Sequence, residues 1–152
     1  MAAFNFKYEM VLQRRRIDED ESQRKLAMQL RQRMILRNQL QSMQQTISTS
    51  KREMTDSLKG AVKLQDVTHF ARFSSQVELR ARMIVQKLAT LHGRIEQARN
   101  ELTIAMRDRK SMELLKENHH KEFKRREKRR ETAFLDDVSM QKYTRSLMEI
   151  SG

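Results

Sequence analysis

A chain of 152 residues with 32 Lys and Arg against 20 Asp and Glu carries a net charge of +12, and it has no Cys, no Pro, no Trp and only three Gly. Composition dominated by charged and helix-favouring residues, at 34% charged and 5% aromatic, argues against a sheet-rich globular domain and for long helices. The lack of Cys removes disulfides and thiolate metal ligands and fits a reducing compartment, while the positive charge leaves nucleic acid, an acidic protein surface and anionic lipid open as partners.

Residues 4 to 12, Phe-Asn-Phe-Lys-Tyr-Glu-Met-Val-Leu, alternate briefly like a strand. They hold no continuous apolar run that could serve as a signal-peptide core, and no later segment approaches the ~20 apolar residues of a membrane span. The expectation is a soluble cytoplasmic protein. The stretch runs without a turn signal into Gln13 to Arg16, so it reads as the first turns of helix one, about 4–55, with Asn5 as its candidate cap. Arg14, Arg15 and Arg16 stand four residues before Asp18, Glu19 and Asp20, a spacing that suits weak surface ion pairs along one helix. A seam with alternating steps of three and four follows at Leu36, Leu40, Met43, Ile47, Ser50 and Met54. Traced backwards it passes through Arg33, Gln29, Leu26, Ser22, Glu19, Arg15, Leu12 and Tyr8. Leu30 and Met34 lie off it, which predicts a stutter between Leu26 and Leu36.

Periodicity is lost over 57–66, where Gly60 is the natural helix stop and Asp66 the best N-cap for helix two, about 67–148. At 1.5 Å per residue the two helices would measure ~75 Å and ~120 Å. Helix two holds the strongest pattern in the chain: Phe70, Ser74, Val77, Ala81, Ile84, Leu88, Leu91, Ile95, Ala98, Leu102, Ala105, Arg109 and Met112. Eleven of these thirteen are apolar. A period of 3.5 held for six heptads is a coiled-coil seam, and a seam needs a partner. Folding the chain about residue 62 supplies one. Met54 then faces Phe70, Ile47 faces Val77, Met43 faces Ala81, Leu40 faces Ile84, Leu36 faces Leu88, Leu26 faces Ala98 and Leu12 faces Met112. The predicted fold is all-α: one long antiparallel two-helix coiled-coil hairpin over residues 1–152, its second helix longer than the first.

On this folding helix one runs out opposite residue 120, and Lys121 to Gly152 project beyond it. Residues 121–131 hold seven basic and three acidic side chains. Phe134, Leu135, Val138, Met140, Tyr143 and Leu147 follow. An overhang that is basic at one end and apolar-studded at the other calls for an intermolecular partner. Enzyme chemistry finds no footing: there is no Gly-rich phosphate loop, nucleophile elbow or His-Glu-x-x-His helix. His119 and His120 point ~100° apart on a helix, a poor chelate, and read as solvent-exposed polar residues. The methionines on the seam, Met43, Met54 and Met112, read as core filler. No catalytic residue, cofactor, metal site or small-molecule substrate is expected.

Phe4-x-Phe6-x-Tyr8 with Val11, Leu12 and Arg15, then Glu21, Arg24, Leu26 and Ala27, resembles the start of the FliJ family, the small coiled-coil component of the bacterial flagellar type III export apparatus. Lys110-x-Met112-Glu113-x-Leu115-Lys116-Glu117, followed by Glu122, Arg126, Glu131, Leu135, Asp136 and Asp137, is similar to that family's C-terminal signature. The resemblance implies a non-enzymatic coiled coil like the central stalk of rotary ATPases, at the inner-membrane export apparatus. Its implied partners are the hexameric export ATPase, the membrane-embedded export gate and export chaperones. Carried onto this chain, it assigns ATPase contact to Arg14, Arg15, Arg16, Lys124, Arg125, Arg126, Lys128, Arg129 and Arg130, and gate contact to Phe70, Phe73 and Val77. Helix one departs from some FliJ-like proteins in carrying Asn38, Ser42, Gln45 and Thr49 on a face that is more apolar and aromatic in them. The alternative is a nucleic-acid-binding basic coiled coil using 121–131 as a phosphate-contacting arm. Glu122, Glu127 and Glu131 interrupt that run, Glu122 can pair with Arg126, and only Phe123 offers a stacking ring. The same acids weigh against a membrane-surface helix.

Overall fold

The computed structural model describes residues 3–61 and 63–152. Two helices account for nearly all of them, α1 (Glu9–Ser57) and the longer α2 (Leu64–Ile150), and among the described residues there is no strand. They pack as an antiparallel coiled-coil hairpin. Among the described residues no helix is long and apolar enough to cross a membrane.

α1 begins at Glu9 and not near residue 4. The amide of Glu9 donates to the carbonyl of Phe6 (3.1 Å) and the carbonyl of Tyr8 accepts from Leu12 (3.0 Å), so Tyr8 takes the capping position expected of Asn5. Glu9 then sits in the first turn, where a carboxylate complements the partial positive charge of the free backbone amides. The other end closes with short turns, Lys59 N–H to Asp56 O (3.3 Å) and Gly60 N–H to Ser57 O (3.2 Å). Gly60 has no positive φ, and a Cβ there would meet Ser57 O at an ordinary 3.8 Å. The helix therefore stops without using the left-handed conformation that makes glycine the usual stop signal. Val62, the expected centre of the turn, lies outside the described residues. α2 starts at Leu64, three residues before the expected position. Asp66 donates its amide to the Lys63 carbonyl (3.0 Å) and serves as a first-turn acid, while Lys63 occupies the capping position.

All thirteen seam positions predicted between Phe70 and Met112 are buried or half-buried, with Val77, Ile84, Leu91, Ile95 and Ala98 the deepest. On α1 the positions Leu12, Arg15, Glu19, Ser22, Leu26, Gln29, Arg33, Leu36, Leu40, Met43, Ile47, Ser50 and Met54 are likewise buried or half-buried. The predicted stutter is absent. Met34 stays 63% exposed, and the seam passes through Gln29 and Arg33 in unbroken steps of three and four. The period wins over side-chain polarity because the α2 seam is apolar at every position from Val77 to Ala105, and a slip in α1 would take Leu26 or Leu36 off it.

Two compact units divide the chain, one of Met1–Ile17 with Met106–Gly152, the other of Asp18–Ala105. Within Asp18–Ala105, Lys25 bridges to Glu101 at 2.7 Å. Leu36 shares a groove wall with Leu91, and Met54 shares one with Phe70. Within the other unit, Arg15 meets Asp108 at 3.3 Å, Arg16 meets Glu113 at 3.5 Å and Glu9 meets Lys116 at 2.7 Å. Lys25, Arg15 and Glu9 each find their partner within two residues of the position expected from folding about residue 62. Each ion pair is solvent-screened, so these pairs select register more than they supply stability.

Candidate functional site

The site is built at the end of the unit that holds both termini. Before α1 begins, residues 3–8 form a strap across α2. Phe6 is buried, with its ring 5.6 Å from His119 and 5.9 Å from Tyr8. Phe4 lies edge-on to His120 at 4.9 Å and tilted against Phe123 at 5.6 Å. The Lys116 ammonium hydrogen-bonds Glu9 at 2.7 Å while standing 6.0 Å from the Phe6 ring centroid. That bond, first among the causes, holds the Glu9 carboxyl below the usual carboxylate range, and Lys121 does the same for Glu117.

This corrects two expectations. His119 and His120 are half-buried ring partners of the strap and not merely solvent-exposed polar groups. The contact between the N-terminal segment and α2 also runs past residue 120, since Ala3, Phe4, Asn5 and Lys7 share a groove with His119, Glu122, Phe123 and Arg126. The signal is legible in the alternation of Phe4, Phe6 and Tyr8, which does not follow the helical period but is outweighed by the helical stretch after it.

Beyond the strap α2 continues alone. Lys124, Arg125, Arg126, Lys128, Arg129 and Arg130 are all exposed, and from residue 124 onward only Glu127 and Val138 are even half-buried. Arg130 pairs with Glu127 at 3.2 Å, and the expected Glu122–Arg126 pair does not form. Phe134, Leu135, Met140, Tyr143, Leu147, Met148 and Ile150 are exposed on the same segment. The remaining predicted cations sit apart from it. Arg15 and Arg16 are drawn to Asp108 and Glu113, so the nearer of these lies roughly 16 Å along α2 from Lys124, and Arg14 also has an interaction of its own. The arginine triplet and the extension share one unit without forming one patch.

At the turn end Phe70 and Phe73 line a surface groove with Ser50, Glu53, Met54, Ser57 and His69. Phe73 is exposed and Phe70 half-buried. Val77 differs from them, because at 8% exposure its side chain is committed to the seam and offers no surface to a partner. Nearby on α1 the hydroxyls of Thr46 and Thr49 donate to the carbonyls of Ser42 and Gln45 (both 2.9 Å), so they are engaged by their own helix.

The family model described as flagellar FliJ protein matches residues 4–147 of this chain. The chain belongs to the FliJ family. Membership makes it a component of the flagellar export apparatus, in a family of structural proteins not known as enzymes. Comparisons with curated proteins and with solved structures find no match. The FliJ match begins at Phe4 and ends at Leu147, so all of the strap but Ala3 and most of the α2 extension lie inside it.

Proposed function

We propose that this FliJ-family chain is a stalk-like, non-enzymatic part of the export apparatus whose α2 extension docks on the hexameric export ATPase. The observation that carries this reading is the extension itself: a helix continuing past its last contact with the strap, with six exposed cations followed by exposed Phe134, Leu135, Met140, Tyr143 and Leu147. Cations at its base would steer it to an acidic or polar ring lumen, and the apolar side chains beyond would be buried there. Phe70 and Phe73, in the groove they share with Met54, are the proposed contact for the export gate, with export chaperones as further partners. The protein would then be cytoplasmic and peripheral at the inner membrane.

Co-purification with the type III export ATPase, scored by ATP hydrolysis of the hexamer, tests this. The full chain is expected to bind and stimulate, and Arg125→Glu with Arg129→Glu is expected to abolish most of the stimulation while leaving helicity unchanged, both residues being exposed. A chain that neither binds nor stimulates the ATPase, yet binds duplex DNA tightly and salt-sensitively, overturns the reading.

A further inference from the structure

α1 contains an inversion that the hairpin does not explain. Over 28–35 two seam positions are polar, Gln29 and Arg33, and the Gln29 Oε1 is shielded without a hydrogen-bond partner. Met28 and Met34, each 63% exposed, and Ile35 at 49% meanwhile face away from α2. Exchanging these positions would bury more apolar surface at no cost in length, so the outward placement asks for another cause. Ala27, Leu30 and Met34 form the floor of a surface groove whose walls are Arg31, Arg33, Arg37 and Asn38. Charge on this stretch has one sign: from Ser22 to Arg52 there are seven Lys or Arg and no Asp or Glu. Lys25 is bridged to Glu101, but among the described residues none of Arg31, Arg33 and Arg37 has a carboxylate partner.

We infer that this face of α1 docks an acidic amphipathic helix of a partner protein, with aliphatic side chains on Ala27, Leu30 and Met34 and carboxylates on Arg31 and Arg37. The floor repeats at i, i+3 and i+7, the spacing that receives a helix laid along it, and guanidiniums pair carboxylates in two-pronged fashion at its edge. Nucleic acid fits less well, because residues 22–52 contain no aromatic side chain to stack on a base. A bilayer fits less well too. By helical spacing Arg31 falls between the strip of Ala27, Leu30 and Met34 and that of Met28 and Ile35, so neither is a clean apolar face. The inference stands apart from ATPase docking, which uses other residues on the other helix.

The probe is a fluorescent synthetic amphipathic peptide of about five helical turns, with Leu on one face and Glu on the other, beside a counterpart in which Lys replaces Glu. Anisotropy with the full chain is expected to show saturable binding of the Glu peptide and at least about tenfold weaker binding of the Lys peptide. Arg31→Glu with Arg37→Glu is expected to weaken the Glu peptide by about tenfold or more, and Met34→Asp alone to weaken it severalfold. Arg80→Glu with Arg107→Glu removes the same charge from exposed positions on α2 and is expected to have less than about a threefold effect. Circular dichroism confirms that each variant keeps its helicity. Failure of the Glu peptide to bind, equal binding of both peptides, or equal effects of the two charge reversals overturns the inference. So does binding to phosphatidylserine vesicles that the Arg31 and Arg37 reversals abolish, if the Glu peptide does not compete for it.

Discussion

The two helices reach the same seam with different materials. Over thirteen seam positions from Phe70 to Met112, α2 supplies eleven apolar side chains; over thirteen from Leu12 to Met54, α1 supplies seven. Five of the α2 residues are buried outright, whereas on α1 between residues 12 and 54 only Leu12 and Glu19 are. The difference teaches that one strongly patterned helix can hold a weakly patterned one in register. α2 sets the apolar face, and α1 keeps in step with it, even where that places Glu19, Gln29 and Arg33 against it, since a slip would take Leu26 or Leu36 off that face.

Three changes break or sharpen that comparison. The largest effect is expected from Ile95→Ala, which removes a fully buried side chain from the face that sets the register. A loss of about 3 kcal/mol in urea unfolding followed by circular dichroism is expected, against clearly less for Met43→Ala, whose side chain is only half-buried. Equal losses would mean that the two faces contribute alike. Gln29→Leu acts in the opposite direction: deleting a shielded carbonyl oxygen without a partner and giving α1 an apolar seam residue is expected to stabilise by about 1 kcal/mol, read as a higher urea midpoint at constant slope. The smallest effect belongs to the strap. Because Lys116 lowers the folded-state pKa of Glu9, the clasp contributes fully above the ordinary carboxylate pKa and is lost as pH falls through the lowered one. Ring NMR signals of Phe6 and His119 are expected to lose their mutual contacts at acid pH. Glu9→Gln is expected to loosen the strap already at neutral pH, and an unchanged acid midpoint in Lys116→Met would rule out Lys116 as the cause.

Much of the fold was legible residue by residue. Ile84, Leu91 and Ile95 announce the seam because a 3.5 period sustained over six heptads is what a helix packed along a second helix requires; folding about residue 62 pairs Met54 with Phe70, which do share a groove, whereas Leu36 shares its groove with Leu91 and not with the expected Leu88. The helix ends were less legible. Tyr8 and Lys63 cap α1 and α2 in place of Asn5 and Asp66, since a capping position is chosen by where packing lets the helix begin and side-chain preference adds only about 1 kcal/mol. The strap escaped because six residues outside any regular helix or strand carry little signal of their own, and His119 and His120 acquire their role only once Phe4 and Phe6 lie on them.

By itself the sequence determined that this FliJ-family chain is two helices with a seam, that the second is longer, and that its cationic end outruns the first. These follow from local period and composition, which act along a single helix. Only the tertiary structure decided that α1 runs without a stutter, that residues 3–8 clasp α2, that Val77 is core while Phe73 is surface, and that Met28, Met34 and Ile35 face outward. Each of those depends on which side of one helix the other occupies, a choice set by the summed fit of two faces and written in neither alone.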